Sequence, residues 1–177
     1  MNYEKDQEVH EGKEIVIQDA CILFDLVDLS LLECFFQLEL EVLTTPNVIS
    51  EITNENQWEQ VTIHLKTGEL TIDENGALDA ILTIYHEHSG LSIADSSVLE
   101  LALRKDAVIL SSDGSLRKIA KRKEVIVKGT LWIIEALFLN GIITSDYAIE
   151  KLEMYSSVNQ RAPQNEIQKL ISRLSGY

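Results

Sequence analysis

The chain has 177 residues, of which 45% are hydrophobic and 25% are charged, and its formal net charge is −14. This composition is typical of a single globular domain. The sequence has no apolar run of ~18 residues that could span a membrane, no signal peptide at its acidic N-terminus and only two cysteines, so we expect a cytoplasmic protein without disulfides or membrane contact.

Short apolar runs alternate with helical patterns in the first half of the chain. The predicted strands are residues 14–18, 40–45 and 69–73. The predicted helices are residues 21–38, whose apolar spacing suits one or two helices, 46–66 and 77–88. Pro46 suits the first turn of its helix, and Gly90 is placed to close the last one. Cys21 and Cys34 lie in apolar surroundings and are expected to be buried free thiols.

The same alternation continues in the second half. Ser92 is expected to begin a helix over 93–105, and Gly141 to close another. The remaining predicted elements are strands at 107–112 and 124–128 and helices at 113–123, 129–140, 146–156 and 163–174.

Apolar strands that alternate with helices indicate a parallel sheet that is covered on both faces. We therefore predict an α/β fold with three layers, α/β/α, around about five parallel strands. Three parts are expected: a flexible acidic tail at 1–13, the α/β domain at 14–143, and a C-terminal helical hairpin at 144–177 packed on that domain.

Basic residues are concentrated in one segment of this acidic chain. Eight of the 15 Lys and Arg residues lie within residues 104–128, a segment that also contains Asp113. A basic patch beside an acid suits a phosphate backbone and a metal ion. The alternative is a solvated helix face.

Four acids have positions that suit a common site. Asp19 ends the first strand and Asp113 ends the fourth, so both are expected at the same edge of the sheet, where ligands bind in such folds. Glu51 lies on the helix that follows the second strand, and Asp95 lies one turn into the helix that begins at Ser92. Each acid could also be explained as a helix cap or a solvated residue. Together, converging carboxylates would require a cation, and oxygen ligands suit Mg²⁺ or Mn²⁺.

At this point the chain resembles the PIN-domain family, which includes many toxin ribonucleases of toxin–antitoxin pairs. The resemblance covers roughly residues 14–140. It is carried by the segments IVIQDACILFDL, LTTPNVISEI, LSIADSSVLELALRKDAVILSSDGSLRKIA and EVIVKGTLWIIEAL. The family's four acidic positions match Asp19, Glu51, Asp95 and Asp113, and the Gly-Thr-Leu segment after the last strand is interpreted as structural.

The resemblance implies a PIN-like fold and an endoribonuclease that uses Mg²⁺ or Mn²⁺, held by the four acids, to hydrolyse RNA and leave a 5′-phosphate. Ala20 and Cys21 follow the first acid, where the family often has a small hydroxyl residue. Ser111 fits the hydroxyl position two residues before the fourth acid and is predicted to orient a ligand or water. The residues predicted to contact RNA phosphates are Arg117, Lys118, Lys121 and Arg122.

Three functions remain open at this stage. The first is the ribonuclease, as a toxin that an antitoxin protein inhibits. The second is a non-catalytic PIN-like module that binds nucleic acid or protein, which the net charge favours. The third is a receiver-like phosphoacceptor domain with Lys128 after the fifth strand. A homodimer is compatible with the apolar helices after the core. Trp132 lies in an apolar helix and is expected in the core.

Overall fold

The computed structural model describes residues 13–159 and 162–176, so nearly all of the predicted tail at 1–13 lies outside the described residues. Within them, the strands are β1 (Glu14–Gln18), β2 (Leu40–Thr44), β3 (Leu70–Ile72), β4 (Val108–Leu110) and β5 (Val127–Lys128). The helices are α1 (Ala20–Asp28), α2 (Leu32–Phe35), α3 (Pro46–Ser50), α4 (Glu55–Thr67), α5 (Leu78–Glu87), α6 (Ile93–Lys105), α7 (Gly114–Arg122), α8 (Thr130–Leu139), α9 (Ser145–Val158) and α10 (Gln164–Leu174). None of these helices has the length and apolar character needed to cross a membrane.

The strands form one parallel sheet in the order β3-β2-β1-β4-β5. The predicted parallel sheet of about five strands is therefore confirmed. A receiver domain has the order 2-1-3-4-5, which this sheet does not have, so the receiver-like interpretation is wrong.

Helices cover both faces of the sheet. From β1 to β3 each strand is added on one side of the sheet, and β4 and β5 are added on the opposite side. Because the connections between parallel strands are right-handed, the helices that connect these two sets of strands lie on opposite faces. On one face α1 packs against α4, α8 and α9, while on the other α6 packs against α5 and α7. The core between them consists mainly of fully buried aliphatic side chains such as Ile17, Leu99 and Ile109.

Three predicted element boundaries are wrong for local reasons. The helix that begins at Pro46 ends at Ser50, because Asn54 caps a new helix by accepting a hydrogen bond from the Gln57 N–H. Helix α5 ends at Glu87 with His88 as its C-cap residue, so Gly90 does not close it as predicted. Strand β5 is short, because Glu124 has a left-handed φ of 59° that no strand residue adopts.

The C-terminal helices pack against each other and, through α9, against α1 and α8. The buried carboxylate of Asp25 connects these elements, since Thr130 Oγ1 donates to its Oδ2 at 2.7 Å and Tyr155 also hydrogen bonds to it. We call Asp25, Thr130 and Tyr155 the Asp25 junction. Thr130 thus makes a structural contact, whereas the structural role predicted for Gly129 and Leu131 stays a prediction. The division of the chain at residue 143 stays a prediction.

Candidate active site

The candidate site lies where the strand order reverses. Neighbouring strands β1 and β4 are continued in opposite directions, and ligands in such sheets bind beyond the carboxyl ends of the strands at this point. Asp19 directly follows β1, and Ser111 directly follows β4. The Asp19 N–H donates to the Leu110 carbonyl at 3.1 Å, which fixes the two strand ends side by side.

Asp19 is 4% exposed and caps α1. Its Oδ1 accepts a hydrogen bond from the Ala20 N–H at 2.8 Å. Its Oδ2 accepts hydrogen bonds from Ser111 Oγ at 2.6 Å and from Cys21 Sγ at 3.1 Å. The carboxylate is therefore held in one orientation from both sides.

Three of the four predicted acids interact electrostatically. Burial raises the pKa of Asp19, against the lowering effect of the hydrogen bonds from Ser111 and Cys21, and the negative charge of Asp95 raises it further. Partial desolvation and the charges of Asp19 and Asp95 raise the pKa of Glu51. The three carboxyl groups come from different elements, so it is the fold that brings them together.

Asp95 also forms the predicted capping box. Its Oδ2 accepts from the Ser92 N–H at 2.7 Å, and its own N–H donates to Ser92 Oγ at 3.0 Å. Its role as a cap and its electrostatic effect on Asp19 and Glu51 therefore coexist.

Asp113 is connected to the site through Ser111. It caps α7 by accepting from the Leu116 N–H at 2.8 Å, and its own N–H donates to Ser111 Oγ at 3.0 Å. Ser111 is fully buried, so its hydroxyl links Asp19 to Asp113 instead of facing solvent. Among the described residues, no three His, Cys, Asp or Glu side chains already form a ligand set for a metal.

Cys21 belongs to the site, contrary to the expected apolar burial. It is half-buried, and its sulfur accepts from the Ser112 N–H at 3.2 Å while it donates to Asp19. Burial and the charge of Asp19 raise the pKa of the thiol to about 12, so it is a protonated donor. The sequence signal was its position two residues after the first acid, on the first turn of α1.

Of the four predicted phosphate contacts, Arg117 reaches the site. Its Nη1 donates to the Ser111 carbonyl at 2.9 Å, from one turn along α7. Lys118, Lys121 and Arg122 are exposed on the same helix and do not line the cleft beside Asp113.

This cleft has a volume of about 740 Å³ and runs from the site to the C-terminal helices. We call it the α8–α10 cleft. Its walls include Cys21, Asp113, Arg117, Trp132, Glu135, Leu170 and Arg173. Trp132 was expected in the core but is half-buried and lines the cleft, with Lys128 Nζ 4.0 Å from its ring centroid.

Comparisons with known proteins agree with this fold. The model of the family DUF3368, described as a PIN domain, matches residues 15–176. The crystal structure of PAE2754 from Pyrobaculum aerophilum is similar, with a TM-score of 0.51 and 20% sequence identity over 71% of this chain and 97% of that chain. At this identity the similarity is one of fold. No curated protein matches the sequence.

Proposed function

The chain belongs to the PIN-domain family, and we propose that it is a metal-dependent endoribonuclease that uses Asp19, Glu51, Asp95 and Asp113. The observation that carries the proposal is that the charge of Asp95 raises the pKa of Asp19, and the charges of Asp19 and Asp95 raise the pKa of Glu51, although the three acids come from separate elements at the sheet edge. Such a group of carboxylates is stabilised by a cation. The family supports a nuclease-like fold, and the RNA substrate and the metal are parts of the proposal.

The donor atoms fit a hard divalent cation. They are carboxylate oxygens, which suit Mg²⁺ or Mn²⁺. Mg²⁺ usually keeps several waters and takes only one or two carboxylates directly. Asp19 is already oriented by Ser111 and Cys21, so we propose it as the inner ligand, with Asp95, Glu51 and Asp113 acting directly or through water. This arrangement requires no ready-made set of three ligands.

A bound ion would supply the activation of water and the neutralisation of charge for in-line attack on phosphorus. The residues of the chain position the reactants. Ser111 and Cys21 keep Asp19 Oδ2 facing the site. The guanidinium of Arg117, fixed to the Ser111 carbonyl, is placed to bind a phosphate oxygen without reading the base. We propose that Lys118, Lys121 and Arg122 contribute longer-range attraction to the RNA backbone.

The metal site can be tested by calorimetric titration with Mn²⁺ at moderate salt. We expect a tight binding component in the wild type that Asp95→Asn removes. Asp146 lies in the first turn of α9, as Asp95 does in α6, so Asp146→Asn is a matched control that should keep the tight component. If the titration curve of Asp95→Asn is the same as that of Asp146→Asn, the proposed metal site is contradicted.

Cleavage is tested separately with single-stranded RNA and Mn²⁺. Asp113→Asn is expected to abolish cleavage while circular dichroism remains that of the wild type, since asparagine also caps helices well. If this variant cleaves RNA at the wild-type rate, Asp113 is not part of the active site.

The alternative is a non-catalytic module that binds nucleic acid or protein. The net charge of −14 and the presence of Ala20, instead of a hydroxyl residue, directly after Asp19 favour it. It predicts RNA or protein binding that does not depend on Mn²⁺ and no cleavage under any metal condition.

Two partner proposals accompany the ribonuclease. A toxin role predicts a companion antitoxin protein that inhibits cleavage when it is co-purified. The homodimer predicts twice the monomer mass in light scattering, and Ile126 and Leu139 are exposed apolar residues at which a contact could form.

A further inference from the structure

The α8–α10 cleft adjoins the candidate site through Cys21, Asp113 and Arg117, although Asp19, Glu51 and Asp95 do not line it. One end is lined by Cys21, Asp113 and Arg117 of the candidate site, and the other by residues of α8 and α10. A volume of about 740 Å³ lies within the range of small-molecule sites. An RNA strand with its scissile phosphate at Asp19 would therefore have room for a neighbouring nucleotide in this cleft.

Trp132 provides an aromatic surface in the lining of the cleft. Lys128 Nζ lies 4.0 Å from the ring centroid, and Lys128 is itself held by Glu14 at 2.9 Å. Lys128 does not line the cleft, whereas Trp132 does, so the cation supports the indole from outside. Leu131 and Leu170 add apolar lining. Bases stack on aromatic side chains of this kind.

The charges in the cleft suit a phosphate at one end only. Arg117 lies at the end near Ser111. At the far end, Arg173 Nη1 pairs with Glu135 Oε1 at 2.8 Å, so the guanidinium there is already neutralised. Glu166 also lines this end. The anionic part of a ligand is therefore favoured beside Arg117 and a neutral base farther in.

We propose that the α8–α10 cleft binds one unpaired nucleotide next to the scissile phosphate, with its base on Trp132 and its phosphate at Arg117. The proposal rests on the proposed ribonuclease function, and it assigns a substrate-binding role to the C-terminal hairpin. A base within a duplex is already stacked and paired, so single-stranded RNA is the form that the cleft accepts.

The test uses the fluorescence of Trp132. The chain has two tryptophans, and Trp58 lies on α4, 42% exposed and outside the cleft, so Trp58→Phe leaves Trp132 as the single reporter. This variant is titrated in EDTA with a short single-stranded phosphorothioate RNA. We expect saturable quenching of the emission. The same strand in a duplex, or with abasic sites, should bind about tenfold more weakly.

A strand that binds in a filter assay without changing the emission would overturn the proposal, as would equal quenching by intact and abasic strands. No binding in either assay would overturn it too. Arg117→Gln should weaken the quenching titration for all base sequences alike.

Failure of the subsite and failure of the ribonuclease are distinguishable. Quenching in EDTA without cleavage in Mn²⁺ would support the nucleotide subsite and contradict the ribonuclease function. If Trp132→Leu cleaves RNA with the wild-type KM, the ribonuclease function is supported and the nucleotide subsite is contradicted. If Trp132→Leu folds poorly, Trp132→Phe, which retains a ring, provides the comparison: we expect its KM to remain close to that of the wild type.

Discussion

Asp19 and Asp25 are two buried acids, one capping α1 and the other within it, and their surroundings differ. Burial raises the pKa of both, and hydrogen bonds from neighbouring donors oppose the rise. The acid that acts on Asp25 is Asp28, one turn along the same helix. Asp95, which acts on Asp19, lies on a separate element.

This difference shows which observation identifies a site. Acids three residues apart on a helix are neighbours by its geometry alone. Asp19, Glu51 and Asp95 become neighbours only through the fold, where the charge of Asp95 raises the pKa of both Asp19 and Glu51. Burial alone therefore does not distinguish a carboxylate of the candidate active site from one of a structural contact such as the Asp25 junction. The convergence of acids from separate elements does distinguish them.

The largest expected effect is on catalysis. Asp19→Asn should lower RNA cleavage in Mn²⁺ by about 100-fold or more, because it removes the proposed inner ligand. Asp25→Asn should leave the rate per folded molecule unchanged. Both are measured with the same RNA under saturating metal. Comparable losses in the two variants would erase the distinction between the two acids.

The next effect is on stability. Asp25→Ala should lower the free energy of unfolding by about 1–3 kcal/mol, because Thr130 and Tyr155 lose a buried acceptor. Thermal unfolding should show this as a fall in Tm of roughly 2–4 °C for each kcal/mol. Asp28→Ala, at an exposed position, is the control. An unchanged Tm for Asp25→Ala would mean that the Asp25 junction does not hold the hairpin.

A smaller effect is expected at Cys21. Cys21→Ala should weaken Mn²⁺ binding by about tenfold, because Asp19 Oδ2 loses one of its two side-chain donors. Cys21→Ser keeps a donor and should bind nearly as the wild type does. Cys34→Ala, at the other half-buried cysteine, should change nothing in the titration. Equal affinity for the alanine and serine variants would leave Cys21 without a positioning role.

The smallest expected effect is a gain in the stability of the Asp19→Asn variant in the absence of metal. The pKa of Asp19 is raised above its ordinary 3.8 in the folded protein, so the folded state binds more protons and stability falls as pH rises from about 3.8 through the raised pKa. Above that range Asp19→Asn should be more stable than the wild type in EDTA, by about 1 kcal/mol. The difference in Tm between the two should shrink towards acidic pH. A difference that grows there would reverse the assigned direction.

Much of the fold could be predicted because its signals are local. Ser92 caps α6 through a hydroxyl that accepts a hydrogen bond from the Asp95 N–H, three residues along the chain. The apolar runs gave the five strands and their parallel arrangement. The errors arose where a single backbone conformation decided the boundary, as at Glu124, whose left-handed φ has no clear signal in sequence.

The candidate site could be predicted in part. Asp19 and Asp113 followed from the rule that strand ends meet at one edge, Ser111 followed from the family resemblance, and the capping box at Ser92 and Asp95 followed from spacing. Cys21 and Trp132 were assigned to the interior, because apolar neighbours in sequence do not tell which way a side chain leaves a helix. That direction depends on the elements packed around it.

The sequence by itself determined the order of strands and helices, the caps and the identity of four acids, because these depend on propensity and on contacts between near neighbours. The tertiary structure alone decided which acids face one another, that a thiol and a buried hydroxyl hold Asp19, and that α8 and α10 enclose a cleft beside it. Those relations join residues as distant as Asp19 and Ser111, or Glu135 and Arg173. They exist only once the burial of the core has fixed the sheet and its covering helices.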